Sequence, residues 1–487
     1  MTMEPSLEEV RKISEKGSYD VCPVCISMQR GGLEPTDVAE ILMNVSSHCF
    51  LLESAEEDRT WGRYSFLGFD PKLSVTCKDG HMVIGDLKLE TQDPNRYIRQ
   101  VLEDYRGYRV PGFPTFTGGL VGYFSYDYLK YSEPTLKLDA KDTEDFRDVD
   151  LMLFDKVIAF DNVEDSIKLI ANINLGDCEV SYNKALMELE GLRNLILKGE
   201  RKRGIRGHLK SDFKPMFDKE RFCSMVDEAK GCIREGEVFQ IVLSNRIEAD
   251  FEGSLLPTYR ILRQANPSPY MFYFSGSDME VAGASPETLV KLEDGILHTF
   301  PLAGTRPRGS TPEEDEELEK ELLSNEKELA EHNMLVDLGR NDLGRISKFG
   351  TVGVERYHTV LRFSHVMHIG STVRGEIKDG KDALDAIDSV LPAGTLSGAP
   401  KIRACQIING LEDNKRGIYG GAIGYIDFSG NMDTAIAIRI AYKKNGKVFI
   451  RSGAGIVADS DPESEYQESL NKAKAVINAL RSAEGSE

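Results

Sequence analysis

Phe50-Leu51-Leu52-Glu53-Ser54 and, shortly after, Tyr64-Ser65-Phe66-Leu67-Gly68 set the fold class. Both are short apolar alternations, and from Cys49 to about Asp127 such runs recur between Gly and Pro, the punctuation of antiparallel sheet. Strands over 149–154 and 166–172 extend the pattern, as does one over 21–27. Helices are expected over 7–14, 35–44 and 182–197. In the second half, helices over 218–235 and 254–266 flank strands over 239–249, 270–275, 280–284 and 288–292. Thr311-Pro312-Glu313-Glu314 is a capping box that opens one long acidic helix reaching about Leu338. Strands follow over 366–373, 420–427, 435–442 and 448–453, and Asp461-Pro462 caps a final helix. Sheets with inserted and flanking helices, without a dominant βαβ alternation, make an α+β fold.

A chain of 487 residues exceeds the roughly 250–300 at which one core stops growing, so two lobes are expected. The boundary falls at Lys198-Gly199-Glu200-Arg201-Lys202-Arg203-Gly204-Ile205-Arg206-Gly207. This run lacks apolar periodicity and reads as a solvated linker or, alternatively, a nucleic-acid or phosphate patch. The expected division is residues 1–197, a linker over 198–215, and 216–487. A formal net charge of −20 argues against a nucleic-acid surface. No run approaches the ~18 uncharged apolar residues of a membrane span, and Met1-Thr2-Met3-Glu4-Pro5 has no signal pattern. The eight cysteines lack framework spacing, so reduced thiols in a cytoplasmic protein are expected. Cys22 and Cys25 share a CxxC spacing, but in an extended segment they face opposite ways.

Two carboxylate pairs carry the chemical reading. Glu328/Glu331 and Glu465/Glu468 are each spaced i,i+3 in a helix, so each pair offers two hard oxygen ligands on one face. Alone, either pair fits an ordinary solvated helix; together, meeting across a cavity, they would hold a divalent cation. Gly394-Thr395-Leu396-Ser397-Gly398-Ala399-Pro400-Lys401 lacks the Gly-Lys-Ser/Thr ending of a nucleotide loop. It reads instead as a glycine-rich turn into a helix whose N–H groups favour an anion. Gly453, Ala454 and Gly455 offer further approachable backbone, and with Arg439 and Lys472 they suit a substrate with two carboxylates. His365 and His368 point to opposite strand faces, so at most one lines the site, as a proton carrier before a ligand.

These residues resemble the chorismate-utilising enzymes over nearly the whole chain. The motifs are Leu51 to Ser54, Asn266 to Phe272, Ala284-Ser285-Pro286-Glu287, Pro301 to Arg308, Ala330-Glu331-His332 and Pro392 to Lys401. The resemblance implies the fold of that family, with orthogonally packed antiparallel sheets flanked by helices in two interleaved lobes. It also implies a Mg²⁺-dependent lyase. Members that add water use a lysine base where this chain has Gln240, which can hydrogen-bond an amine but not deprotonate water. Aminodeoxychorismate-forming members have a lysine nucleophile where this chain has Ala303. Ammonia is the implied nucleophile.

Carried over residue by residue, Glu328, Glu331, Glu465 and Glu468 would surround Mg²⁺. Gly304, Thr305, Tyr419, Arg439, Gly453, Ala454, Gly455 and Lys472 would position chorismate. Glu287 would protonate the departing hydroxyl, and His368, supported by Thr395, would assist pyruvate loss and aromatisation to anthranilate. Glu53, Ser54, Pro269, Tyr270 and Met271 resemble a tryptophan inhibitor site. The chain has no Gly-x-Cys-x-Gly elbow and no ~200-residue module to hold one. Ammonia would therefore come from a glutamine amidotransferase subunit, in a heterotetramer of two plus two. A relative that stops at aminodeoxyisochorismate, or a non-catalytic sensor of chorismate or tryptophan, are the alternatives.

Overall fold

The computed structural model describes residues 3–54, 62–202, 204–276, 278–362 and 366–484. Among them, two sheets of 13 and 12 strands form the framework, and the strand pairings are antiparallel. The fold is α+β, with helices flanking the sheets.

Each sheet mixes strands from both halves of the chain. The first runs from Val21–Gln29 through Ser166–Asn174, Lys156–Asp161, Tyr64–Phe69 and Cys49–Glu53 into Tyr270–Ser275, Met279–Ser285, Ile440–Lys444, Lys447–Ile456 and Gln240–Gly253. The seam between halves is the Cys49–Glu53 strand against Tyr270–Ser275, which sets Glu53 opposite Met271. In the second sheet Gly119–Phe124 pairs with Ala422–Asp427, a seam of the same kind. The segment after residue 198 is no free tether, because Gly207–Leu209 and Lys214–Pro215 pair along the edge of Gln240–Gly253.

Burial explains why the halves interlock. A core of Phe50, Phe66, Phe116, Phe154, Phe272, Ile423, Tyr425 and Phe449 draws side chains from both, each aromatic stabilising by about 1.5–3 kcal/mol on burial. Cys22 and Cys25 fall in different cores, as the strand period requires. Burial pushes their thiols up to about 12 and about 11, so they remain protonated.

Two expectations need correction. The acidic helix is two helices, Pro312–Ser324 and Glu326–Ile346. Asn325 breaks it in an extended conformation and accepts the Glu328 N–H through its side chain at 3.2 Å, trading continuity for an N-cap. The strand expected over 435–442 is also two, Met432–Ile436 and Ile440–Lys444, parted where Arg439 adopts φ +52°.

Candidate active site

The Met279–Ser285 strand ends in a turn stapled by Ser285, whose hydroxyl donates to the Ile436 carbonyl at 2.7 Å. Two residues on, Glu287 projects into a small cavity of about 40 Å³ that Thr395, Gly394, Leu338 and Asp342 also line. The Thr395 hydroxyl donates to Glu287 Oε1 at 2.9 Å. Burial pushes the Glu287 carboxyl up to about 7 against the opposing pull of Thr395, Arg439 and Lys472. A carboxylic acid still partly protonated at neutral pH is suited to give a proton to a leaving oxygen. The hydrogen bond that the Thr395 hydroxyl donates is thus to Glu287.

His368 lies in Val366–Glu376 opposite Thr305 of Leu302–Pro307. Its Nδ1 is 2.8 Å from the Gly304 carbonyl and 3.1 Å from Thr305 Oγ1. A carbonyl only accepts, so Nδ1 carries the proton and Nε2 is the basic nitrogen. Burial, with Arg439 nearby, holds the imidazole below its ordinary pKa and hence neutral. His365 lies outside the described residues.

Gln240 opens its strand, buried, with Nε2 3.5 Å from Glu331 Oε1. Directly across lies the backbone of Gly453, Ala454 and Gly455, paired with Ser244, Leu243 and Val242. A Cβ on Gly453 would stand 2.4 Å from the Leu243 carbonyl oxygen, and one on Gly455 2.8 Å from Gln240 Nε2. Gly453→Ala is expected to cost about 1–3 kcal/mol, seen as a lowered melting temperature, because backbone cannot move aside as a side chain can. Gly455→Ala should leave the melt nearly unchanged but displace Gln240.

The two glutamate pairs sit on different helices, Glu326–Ile346 and Pro462–Glu484. Burial and then the charge of Glu328 raise the Glu331 carboxyl; burial, and among other groups Glu468, raise that of Glu465. The ammonium groups of Lys327 and Lys472 lower both the Glu331 and the Glu465 carboxyl, so the two acidic faces lie within electrostatic reach of the same cations. Lys472 bonds Glu468 at 2.7 Å and the Gly453 carbonyl at 3.1 Å, while Arg306 reaches Glu328 at 3.1 Å. Among the described residues no three carboxylates, imidazoles or thiols stand close enough to hold an ion as they are. The donors are nonetheless of the type a hard divalent cation takes: carboxylates on Glu328, Glu331 and Glu465, partly buried, and on the exposed Glu468, with repulsion within each pair. Tyr419 is buried, its hydroxyl pushed up to about 12, and Arg439 is held below its ordinary pKa by burial despite Glu287.

A second cavity of about 470 Å³ lies between the two sheets, and Glu53, Ser54, Pro269, Tyr270 and Met271 all line it. Glu53 is buried and accepts from Tyr259 at 2.5 Å and from Arg263 at 3.2 Å. Tyr270 donates to Asp433 at 2.8 Å and lies 2.9 Å from Thr288 Oγ1. The two cavities share walls, since Thr288 and Phe300 line both.

Sequence reasoning passed over Arg263 and Tyr259, which hold Glu53, and a buried cluster of Glu412, Arg416 and Arg451. The i,i+4 spacing of Glu412 and Arg416 was the available signal.

A glutamic acid poised near neutrality, a neutral histidine, two acidic helix faces and a glycine cradle define an enzyme site for an anionic substrate. The chain belongs to the chorismate binding enzyme family, whose model matches residues 47–478. It is 43% identical over 491 residues to the anthranilate synthase component 1 of Acetivibrio thermocellus, covering 98% of this chain and 99% of that one. Against the same component of Acinetobacter calcoaceticus identity is 45%, covering 98% of each. Among solved structures, anthranilate synthase component I from Streptococcus pneumoniae superposes with a TM-score of 0.76 at 38% identity, over 85% of this chain and 92% of that one. A menaquinone-specific isochorismate synthase from Escherichia coli shares the fold, with a TM-score of 0.71 at 19% identity over 97% and 98% of the two chains.

Proposed function

We propose that the chain is the large subunit of an anthranilate synthase, converting chorismate and ammonia to anthranilate, pyruvate and water at the head of tryptophan biosynthesis. The observation that carries the reading is Glu287, half-protonated near neutral pH beside Thr395, together with a neutral His368 whose Nε2 is basic.

Arg439, Lys472, Tyr419 and the backbone of 304–305 and 453–455 bind and orient chorismate. Glu328, Glu331, Glu465 and Glu468 would hold Mg²⁺, which supplies neutralisation of the ring carboxylate and electron withdrawal from the ring. Gln240, its amide nitrogen turned to Glu331, presents its carbonyl oxygen to accept a hydrogen bond from ammonia as it attacks C2. Glu287 gives its proton to the departing C4 hydroxyl. His368 Nε2 then takes the C2 proton, the electron pair completes the aromatic ring and breaks the C3–O bond, and the departing enolpyruvate takes up a proton at its methylene carbon to become pyruvate. Chelation by EDTA is expected to abolish turnover and Mg²⁺ to restore it. Glu331→Gln and Glu468→Gln should raise the Mg²⁺ needed for half-activation at least about tenfold.

The 470 Å³ cavity is read as the site of feedback inhibition by tryptophan, with Glu53 for the ammonium and Tyr64, Phe66 and Met271 for the indole. Its coupling to catalysis has a short path. Pro286 and Thr288 line the cavity on either side of Glu287, and Gly370, Ser371 and Thr372 line it just past His368 on the same strand. Residues 1–197 then contribute the regulatory half, 198–215 the connection and 216–487 the catalytic half.

Among the described residues no helix is long and apolar enough to cross a membrane. Ammonia would come from a glutamine amidotransferase subunit in a two-plus-two assembly. The test is nitrogen source: the purified chain should turn over with ammonium and fail with glutamine until a glutaminase subunit is added. Turnover of glutamine by the chain alone would overturn the subunit reading.

A further inference from the structure

Behind the glycine backbone of 453–455 lies a charged cluster that, among the described residues, hydrogen-bonds neither Glu287 nor Thr395 and touches the assigned site residues through Tyr419. Glu412, Arg416 and Arg451 are each at most 2% exposed. Glu412 accepts from Arg416 Nη2 at 2.6 Å and Nε at 3.0 Å, from Arg451 Nη2 at 2.8 Å, and from the backbone N–H and hydroxyl of Ser244 at 2.8 and 3.0 Å. Arg416 also donates to the Leu396 carbonyl at 2.6 Å and the Val242 carbonyl at 2.8 Å, and its guanidinium lies over the rings of Tyr126 and Tyr419 at 4.6 and 5.8 Å. Arg451 donates to Ser244 Oγ, Asn414 Oδ1 and the Lys415 carbonyl, each at 2.9 Å.

Two guanidiniums and one carboxylate leave a net positive charge buried here. Such a cluster is an expensive way to stabilise a fold, since apolar side chains of similar volume usually do as well. What it provides is direction. Val242 pairs with Gly455 and Ser244 with Gly453, Leu396 follows Thr395 directly, and the Tyr419 ring lies beside the Arg416 guanidinium. One cluster therefore fixes the separately folded segments that surround the substrate.

We infer that Arg416, with Glu412 and Arg451, is a positioning residue for the reaction, acting through the Leu396 carbonyl to hold the Thr395 hydroxyl on Glu287. Planar, bidentate bonding is what the role needs, and lysine cannot supply it at equal charge. The inference rests on the assignment of Glu287 and Thr395 to proton transfer, and a double-mutant cycle separates the two claims.

The cycle measures kcat for anthranilate formation with ammonium in the full chain and in Arg416→Lys, Thr395→Val and the double variant, each checked by thermal melting. Misplacing a catalytic contact by an ångström or less costs about tenfold or more. Arg416→Lys is thus expected to lower kcat about tenfold in the parent but less than about twofold when Thr395 is already valine. Equal losses in both backgrounds, or no loss in either, would overturn the inference. An unaffected Thr395→Val would overturn the proton-transfer assignment itself and the inference with it. If Arg416→Lys does not fold, Ser244→Ala, which keeps all three charges and removes only the bridging hydroxyl, runs in the same cycle with the same criteria.

Discussion

Glu287→Gln is expected to lower the ammonia-dependent kcat about a thousandfold while chorismate affinity stays within a few-fold. General acids contribute about 10²–10⁴ in rate. Arg439 and Lys472, the charged neighbours that act on it, are cations that favour its ionised form. Glutamine keeps the volume and can still accept from Thr395, so the cavity should not collapse. The pH dependence provides a second reading. Burial places the Glu287 pKa at about 7, and the acid form is the working one. At a fixed concentration of unprotonated ammonia, kcat should fall as pH rises through about 7, roughly tenfold per unit beyond it. That limb should vanish in the Gln variant. A limb that persists there would place the acid elsewhere.

Ser54→Phe is expected to raise the tryptophan concentration for half-inhibition about a hundredfold or more, with kcat retained. Ser54 lies at the end of the Cys49–Glu53 strand on the cavity wall, far in sequence from Glu287 and His368. A phenyl ring there takes up space the indole would need, whereas the small cavity at Glu287 has a different lining apart from Thr288 and Phe300. The loss should be competitive with the inhibitor alone, measured as inhibition curves at several chorismate concentrations. Unchanged inhibition would move the regulatory site away from this cavity.

The helices that carry the two carboxylate pairs and the strands beside Glu287 and around His368 were legible because their spacing and motifs are local. What the sequence did not disclose is long-range or conformational. Near Asn325 neither Gly nor Pro announces a helix break; the one local signal is Asn325 with Glu328 three residues on, an N-cap spacing hidden inside a continuous acidic run. Arg439 is a bulky residue in the left-handed region, a conformation sequence patterns assign to Gly or Asn. That kink splits an otherwise continuous strand motif. The interleaving of the halves depends on pairings such as Glu53 with Met271, which no local period encodes. The Thr395 contact with Glu287 needed the loop's actual path. Arg451 joins Glu412 from a separate strand, so the buried cluster looked, in sequence, like the polar end of a surface helix.

The central claim is tested most directly by the products. The purified chain, with chorismate, Mg²⁺ and ammonium at mildly alkaline pH, should yield anthranilate by fluorescence and pyruvate in equal amount, both lost with EDTA and strongly reduced in Glu468→Gln. An aminated chorismate product without pyruvate, or chorismate bound with no turnover at all, would contradict it.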